Sequence, residues 1–452
     1  MEKKKVDTII VGSGQGGVPL AEALSKGGED VVVFERALWG GCCLNYGCTP
    51  SKMFLASAHA ASQARAAEEL GIKADVAVDF QKVMNRLSET TSNWSNGVKI
   101  RLKDAGVTLI EEEASFTAPK TIRSESHILE ADKIVINTGK SPFVPPIDGI
   151  DVAPFLTYET FWNLKELPPR IIIIGAGYVG CEIGQALARL GSEVHIIGAH
   201  DRPLSNESKQ VGDILQKQME EDGVHFYFNK HADKVRYDDD LFQVWRSDDG
   251  PIEAEFMLLA AGRKPNTKSL NSDKGNIELD EKGHIKVNDR FETSAEGVYA
   301  IGDVTGQPAF THVSWEDHRR LVGIFNGENR TQMDRVLGYT IFTQPQIARA
   351  GLSLEQAEEQ GFTARGVELP LDQVARATET GFTNGFYKMV IDDENDKILG
   401  ATLISPTAGD LVHIFIDLME SGATWHVLDR AVHIHPSFAE GLPTLARKLK
   451  KN

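Results

Sequence analysis

The amino-acid sequence contains one pattern twice: a short apolar strand, a loop with three spaced glycines, a helix and a second strand. In the first copy, the strand at 7–11 leads into the loop GSGQGG, a helix at 18–26 and a strand at 31–34. Gly12 would allow a tight turn, Gly14 would let the backbone approach a pyrophosphate, and Gly17 would let the helix pack on the strand. The N–H groups at the helix start attract phosphate. The pattern predicts an α/β fold with a Rossmann-like unit that binds a dinucleotide.

The second copy begins with the strand at 170–174 and the loop GAGYVG, in which Gly175, Gly177 and Gly180 hold the same three places. The helix is predicted at 181–190 and the next strand at 194–197. One chain thus holds two nucleotide-binding units. A protein that needs two nucleotides is suited to pass electrons between them.

The residue that follows the second strand differs between the two units. In the first unit it is Glu35, whose carboxylate would accept hydrogen bonds from a ribose diol. In the second unit it is Gly198, so no carboxylate there holds a ribose or repels a 2′-phosphate. His200 and Arg202 could meet such a phosphate or could be ordinary exposed loop residues, and Asp201 argues against a phosphate. The choice between NADH and NADPH stays open, with a slight preference for NADPH.

The cysteines are concentrated in the segment GGCCLNYGCTPSK at 40–52. Cys42, Cys43 and Cys48 lie there, and only Cys181 lies elsewhere. A secreted disulfide framework would spread the cysteines, and a zinc site would need a second ligand cluster, so no metal site is predicted. In a near-helical turn Cys43 and Cys48 can reach disulfide distance, but closing so short a loop adds little stability. Such a pair is more often redox-active than structural in a reducing compartment.

The composition argues against several classes of partner. The 452 residues carry a formal net charge of −17, which disfavours nucleic acid. The acidic runs at 238–240 and 247–250 are predicted to be hairpin turns rather than interaction tails. No apolar run reaches membrane-spanning length, and the first residues lack the apolar stretch of a signal peptide, so we expect no membrane and a cytoplasmic location.

Together these motifs resemble those of the flavoprotein disulfide reductases, the family of dihydrolipoamide dehydrogenase, glutathione reductase and mercuric reductase. The resemblance covers essentially the whole chain and rests on GGCCLNYGCTPSK, both glycine-rich loops, NTGKSP, AAGRKPN, AIGDV and HIHPSFAEGLPTL. It implies an FAD domain split by an inserted NAD(P) domain, followed by an α+β interface domain. It also implies a homodimer whose active sites are each built from both chains. The implied boundaries are 1–148 and 266–335 for the FAD domain, 149–265 for the NAD(P) domain and 336–452 for the interface domain.

The resemblance assigns the catalytic residues. Cys48 would be the thiol beside the flavin, and Cys43 the interchange thiol that attacks a disulfide. His435, contributed by the second chain, would be the acid–base, and Glu440 would orient its imidazole. Elementary chemistry agrees, because a thiolate nucleophile needs a base that titrates near neutrality, and that base needs a group to fix its tautomer.

The resemblance also assigns supporting roles. Lys52 would lie near the flavin and pair with Glu182, and Tyr178 would cover the flavin until the nicotinamide enters. Asp303 would hydrogen-bond the ribityl chain, whereas Arg263 would either line the NAD(P) site or anchor a crossover segment. The remaining predicted cofactor-binding residues are Arg36, Gly41, Ala114, Thr138, Gly139, Arg202 and Gly262.

Two departures from the family pattern bear on function. Cys42 occupies a place usually held by threonine, and it is either a small buried substitute or a thiol that can exchange with Cys43. No cysteine follows Cys181, so the C-terminal pair with which mercuric reductases hand over metal is not expected.

The expected activity passes electrons from NAD(P)H through FAD and the Cys43–Cys48 pair to a small disulfide, or in reverse oxidises a dihydrolipoyl group. Dihydrolipoamide, glutathione disulfide and other small disulfides are all compatible with this activity. The rival hypotheses are a metal-ion or quinone reductase on the same scaffold, and a component docked in a multienzyme complex.

Overall fold

The computed structural model of the chain describes residues 2–246 and 249–450. Their strands are, in chain order, β1 (Lys3–Val11), β2 (Val31–Phe34), β3 (Thr108–Ile110), β4 (Ser115–Ala118), β5 (Thr121–Arg123), β6 (Ile128–Ile136), β7 (Lys140–Pro142), β8 (Leu156–Thr157), β9 (Arg170–Ile174), β10 (Glu193–Ile197), β11 (Val224–Tyr227), β12 (Ala232–Asp238), β13 (Leu241–Arg246), β14 (Asp249–Ala254), β15 (Phe256–Leu259), β16 (Arg263–Pro265), β17 (Val298–Ala300), β18 (Gly338–Ile341), β19 (Gln346–Gly351), β20 (Ala364–Pro370), β21 (Phe386–Asp392) and β22 (Ile398–Ser405).

The helices cover both predicted nucleotide-binding units and the C-terminal part of the chain. They are α1 (Gly17–Lys26), α2 (Gly41–Asn45), α3 (Cys48–Ala66), α4 (Phe80–Asp104), α5 (Tyr178–Leu190), α6 (Lys209–Glu221), α7 (Thr311–Phe325), α8 (Leu354–Glu359), α9 (Ala375–Thr380), α10 (Ala408–Glu420), α11 (His426–Arg430) and α12 (Gly441–Arg447). The chain divides into two compact units, one formed by residues up to 175 with 232–334, the other by 176–231 with residues from 335 onward.

The first unit is built on a sheet with the strand order β3-β2-β1-β6-β5-β4, and β17 also pairs with β6. The pairs that β1 makes with β2 and β6, and that β6 makes with β17, are parallel. Ile9 and Ile10 of β1 are both fully buried, and they belong to the cores on opposite faces of the sheet. A sheet buried on both faces is typical of a doubly wound fold. The carboxyl ends of β1, β6 and β17 meet at one edge, which positions the site described below.

Smaller sheets complete the first unit. β15 lies parallel to both β8 and β9, and β12, β13 and β14 form an antiparallel meander. β7 pairs with β16 in antiparallel fashion, so the two segments predicted as crossovers lie side by side. The predicted turn at 238–240 joins β12 to β13, whereas the first two residues of the predicted turn at 247–250 lie outside the described residues.

The second unit contains the parallel pair β10–β11 and the antiparallel sheet β18-β19-β22-β21-β20. Side chains of this sheet and of α10 and α12 share one apolar core, in which Leu403, Phe415 and Leu445 are fully buried. The α+β character predicted for the chain beyond 339 is confirmed.

Most predicted elements are confirmed, with shifted ends. Helix α4 begins at Phe80, because Asp79 accepts a hydrogen bond from the backbone N–H of Lys82 at 3.0 Å and caps the helix. The helix predicted at 181–190 begins at Tyr178, directly after the second glycine of its loop. In the part of the chain that the structure describes, no helix has both the length and the apolarity needed to cross a membrane.

Candidate active site

The first glycine-rich loop follows β1 and is held against the end of β6. Gly12 has a φ of 103°, and a Cβ there would lie 2.4 Å from the carbonyl oxygen of Asn137. A Cβ on Gly17 would lie 2.2 Å from the Gly12 carbonyl oxygen. Both positions therefore require glycine, as the sequence pattern predicts.

Asn137 fixes this loop, although the sequence analysis did not select it. Its Oδ1 accepts a hydrogen bond from the backbone N–H of Gly17 at 2.9 Å, and its Nδ2 donates to the carbonyl of Ile301 at 3.0 Å. One buried amide thus joins the start of α1 to the chain that leaves β17. The available signal was its position directly after the apolar strand β6, in the motif NTGKSP.

Glu35 lies at the end of β2, where a ribose ligand is expected. Its Oε2 accepts hydrogen bonds from the backbone N–H and hydroxyl of Ser13 at 2.9 and 2.7 Å, and its Oε1 accepts one from the N–H of Ala37 at 2.8 Å. The guanidinium group of Arg36 forms an ion pair with Glu113, with 2.7 Å between Nη1 and Oε1. The carboxylate is held in place and each oxygen keeps acceptor capacity.

The cysteine pair spans a break between two helices. Cys43 lies in α2, and Cys48 is the first residue of α3, after Gly47 interrupts the helical backbone. Gly41 has a φ of 66°, and a Cβ there would lie 2.7 Å from the Cα of Gly14. The thiol segment therefore packs directly on the nucleotide loop, which the sequence analysis predicted only through the family resemblance.

The two thiols interact with each other and with Thr311. The Sγ of Cys48 lies 3.0 Å from the hydroxyl oxygen of Thr311. A hydrogen bond with Cys48, and then burial, raise the pKa of the Cys43 thiol, whereas a hydrogen bond with Thr311 lowers it. Burial raises the pKa of the Cys42 thiol to about 11 despite the nearby charge of Arg263. The pKa of the Cys43 thiol is raised as well, so these shifts do not distinguish the two thiols, and both interpretations of Cys42 stay open.

Asp303 and Arg263 form an ion pair beside the crossover strands. The Nη1 of Arg263 donates to Asp303 Oδ2 at 2.7 Å, its Nε donates to the Tyr158 hydroxyl at 3.3 Å, and its Nη2 donates to the Lys140 carbonyl at 3.2 Å. These contacts favour the anchoring alternative for Arg263. The neighbouring Thr138 hydroxyl donates to the carbonyl of Asn266 at 2.9 Å, which connects the same two segments.

Three glycines and Ala114 complete the predicted backbone contacts of this unit. Gly139 and Gly262 have φ values of 65° and 117°, in the left-handed region that favours glycine. Gly175 has a φ of 118°, and a Cβ there would lie 2.4 Å from the Ala260 carbonyl oxygen. Ala114 is buried just before β4.

The second nucleotide loop leads into α5. Gly177 precedes the helix, and Gly180 is buried in its first turn. Tyr178 is 36% exposed, and Glu182 is 4% exposed and accepts a hydrogen bond from the N–H of Phe342 at 2.8 Å. Lys52 lies on α3 one turn after Cys48. The pairing of Lys52 with Glu182 stays a prediction.

In the loop after β10, the guanidinium group of Arg202 contacts neighbouring residues of the same loop. Its Nη1 donates to Asp201 Oδ1 at 2.7 Å, and its Nη2 points to the carbonyls of Ser205 and Glu207 at 3.4 and 3.3 Å. A Cβ on Gly198 would lie 3.0 Å from the ring of Phe228, so this packing disfavours a carboxylate at that position.

The predicted acid–base pair is assembled in the second unit. The Nδ1 of His435 lies 2.6 Å from Oε2 of Glu440, which follows it in a short turn. The imidazole is 72% exposed and the carboxylate 16% exposed. Val432 and Ile434 in the same segment are 99% and 80% exposed. A carboxylate on Nδ1 leaves Nε2 as the ring nitrogen that could exchange a proton with a substrate.

Residues 6–317 match the model of the family described as pyridine nucleotide-disulphide oxidoreductase, and residues 338–446 match the dimerisation domain of that family. The chain belongs to the pyridine nucleotide-disulphide oxidoreductases. The enzymes of this family bind FAD and use NAD(P)H as electron donor, and the expected reaction class and fold class are confirmed.

The similar proteins of known name span several activities within this oxidoreductase family. The chain is 31% identical to the probable pyridine nucleotide-disulfide oxidoreductase RclA of Escherichia coli, with 99% of this chain and 100% of RclA covered. It is 32% identical to a dihydrolipoyl dehydrogenase of Thermus scotoductus (99% and 98% covered) and 32% identical to a mercuric reductase of Lysinibacillus sphaericus (99% and 83%). A solved structure of E. coli RclA, a Cu(II) complex of this HOCl-induced flavoprotein disulfide reductase, superimposes with a TM-score of 0.90 at 30% identity, covering 99% of this chain and 100% of that chain.

The first nucleotide unit of this oxidoreductase fits FAD. Any Cβ at Gly12 or Gly17 would clash with the backbone of the loop or of its neighbour. No side chain of Gly16 caps the start of α1, and Glu35 is fixed at the end of β2. The glycines, the helix start and the carboxylate are the groups that an adenine dinucleotide requires.

Thr311 and Asn137 are the site residues that sequence reasoning missed.

Proposed function

We propose that this chain is the subunit of a homodimeric, NAD(P)H-dependent disulfide reductase whose Cys43–Cys48 pair acts on a small disulfide, or on a dithiol in reverse. The observation that carries the proposal is the dithiol packed on the first nucleotide loop through Gly41 and Gly14. FAD, when bound, takes an electron pair from NAD(P)H and delivers it to the cysteine pair.

The cysteines and His435 would then perform the thiol–disulfide exchange. The Cys43 thiolate attacks one sulfur of the substrate disulfide, forming a mixed disulfide and releasing a substrate thiolate that His435 protonates. The Cys48 thiolate then attacks Cys43 Sγ, which forms the Cys43–Cys48 disulfide and releases the second half of the substrate as a thiolate that takes its proton from water. Glu440 holds the imidazole through Nδ1.

A homodimer with shared active sites accounts for the segment that carries His435. Val432 and Ile434 are two large apolar side chains that are almost fully exposed, and both precede His435 within three residues. The match of 338–446 to a dimerisation domain supports covering this segment with a second copy. The four-segment division at 148, 265 and 335, and a cytoplasmic location, belong to the same proposal.

The supporting roles are part of the proposal as well. Lys52 and Glu182 would pair beside the flavin, Tyr178 would act as its lid, and Asp303 would bind the ribityl chain. The contacts of Arg202 with Asp201 and its own loop support a structural role for that side chain, so the slight preference for NADPH loses its main argument.

The test is an anaerobic titration of the holoenzyme with NADH and with NADPH. We expect a long-wavelength absorption band from a thiolate beside oxidised flavin. Cys48→Ser should abolish the band and disulfide turnover, whereas Cys43→Ser should abolish turnover and keep the band. A Cys48→Ser protein that retains both band and turnover would contradict the proposal.

Reduction of a metal ion is a second candidate, favoured by the E. coli relative whose solved structure is a Cu(II) complex. Within residues 2–246 and 249–450, no group of three or more His, Cys, Asp and Glu side chains is placed to hold a metal ion. Cu(II) reduction that survives Cys43→Ser, while disulfide reduction is lost, would favour this candidate.

A further inference from the structure

One hydroxyl group lies beside the cysteine pair. Thr311 Oγ1 is 3.0 Å from Cys48 Sγ, and interaction with Thr311 also lowers the pKa of the Cys43 thiol. Thr311 is the first residue of α7, and Cys48 is the first residue of α3. The partial positive charge at each helix start favours a negative sulfur at this point.

The chemistry of the pair determines the direction of this hydrogen bond. A thiol can donate to the Thr311 oxygen, but a thiolate has no proton and can only accept. Once Cys48 is ionised, the hydroxyl must therefore be the donor. A hydrogen bond to a charged group is worth more than one between neutral groups, so it favours the ionised form.

Thr311 is fixed relative to the sheet, which gives its hydroxyl a defined direction. α7 packs against α1, and the side chain of Asp317, fully buried in α7, accepts a hydrogen bond from the N–H of Gly302 at 2.8 Å. The amide of Asn137 also contacts the Ser314 hydroxyl, at 3.4 Å. These bonds tie the first turns of α7 to the nucleotide loop.

We propose that Thr311 is a positioning residue whose hydroxyl donates a hydrogen bond to the ionised sulfur of Cys48 and thereby stabilises the negative charge on that sulfur. The inference rests on the proposed function for its meaning, since the charged sulfur would be the one beside the flavin. It concerns the thiols alone, so it can be tested without turnover.

The experiment uses the FAD-loaded protein with Cys43→Ser, so that Cys48 is the remaining thiol of the pair. The rate of its alkylation by iodoacetamide is followed from pH 4 to pH 10, with the modified cysteine located by mass spectrometry. Thr311→Val, which has nearly the same shape, should raise the pH midpoint for Cys48 by about one unit. Thr311→Ser should restore the midpoint, because it restores the hydroxyl.

Thr305→Val is the matched control. The Thr305 hydroxyl donates to the Gly302 carbonyl at 2.9 Å, in the turn before α7, and lies in no contact with the thiols that the structure records for the described residues. A control that shifts the midpoint as much as Thr311→Val would mean that loosening of the segment is responsible, and would overturn the inference. An unchanged midpoint in Thr311→Val, with FAD content and melting temperature preserved, would overturn it too. Loss of turnover or of the long-wavelength band in the parent enzyme bears on the proposed function only.

Discussion

The imidazole of His435 is oriented by a carboxylate and not by burial. Its side chain is 72% exposed, so Glu440, at 2.6 Å from Nδ1, is the contact that selects its tautomer. We expect Glu440→Gln to slow reduction of the disulfide substrate by about 10²-fold, the lower range for losing an effective general acid–base. Reduction of the flavin by NAD(P)H should be unaffected. Stopped-flow measurement of the two half-reactions separates these effects.

A second histidine–carboxylate pair provides the control for this substitution. His426 Nε2 lies 3.1 Å from Asp396 Oδ2 in the same compact unit. Asp396→Asn should leave both half-reactions within about twofold of the parent, since a surface pair contributes little. Equal losses in the two variants would show that Glu440 supports the fold rather than the acid–base.

The side chains that are proposed to carry the chemistry could be selected from the sequence more easily than the side chains that position them. Cys43, Cys48, His435 and Glu440 belong to short motifs whose residue types have few other uses. Thr311 lies 263 residues from Cys48 along the chain, and a threonine before a helix is common, so no local pattern marks it. Arg202 contacts Asp201 and carbonyl groups of its own loop, and its position near a strand end did not predict these contacts.

The junction between β1 and α1 depends on close contact between Gly12 and Gly17, which a single added carbon atom would prevent. We expect Gly17→Ala to destabilise the first unit by about 1–3 kcal/mol, the usual range for overpacking, and to weaken FAD retention. The reason is the 2.2 Å approach of the added Cβ to the Gly12 carbonyl oxygen. Circular dichroism melting, with flavin fluorescence as a measure of FAD release, reports both effects.

Gly97, in the exposed part of α4, is the matched glycine. A Cβ there meets no described atom within 4 Å, so Gly97→Ala should stabilise the helix by about 0.5–1 kcal/mol. Because the same chemical change is expected to have opposite effects at the two positions, the pair of variants separates packing at the nucleotide loop from backbone entropy. A Gly17→Ala protein that melts like the parent and keeps its FAD would refute the role given to this junction.

Element boundaries were predicted less well than element types. Apolar runs bounded by glycine place β1, β2, β9 and β10 within a few residues, because burial on both faces leaves a continuous signal. The break at Gly47 was not predicted. The interruption of the helical backbone between α2 and α3 depends on packing against the nucleotide loop rather than on helix propensity. Its consequence is large, because it places Cys48 at a helix start.

The proposed dimer predicts how much activity two inactive variants should recover when their subunits are mixed. Cys48→Ser and His435→Gln should each be inactive in disulfide turnover. After subunit exchange in equal amounts, half of the dimers are mixed, and one of their two sites joins intact cysteines to an intact histidine. Activity should recover to about one quarter of the parent value. No recovery after proven exchange would mean that each site is built within one chain.

In the proposed dimer, the exposed segment around His435 would also determine how the enzyme responds to dilution. When the acid–base comes from another polypeptide, turnover per subunit depends on protein concentration. It decreases once that concentration is lower than the dissociation constant of the dimer. Entry of electrons from the coenzyme does not need that histidine. A dilute enzyme would therefore continue to oxidise NAD(P)H while losing its thiol chemistry, and its electrons would go to whatever small acceptor reaches the flavin first.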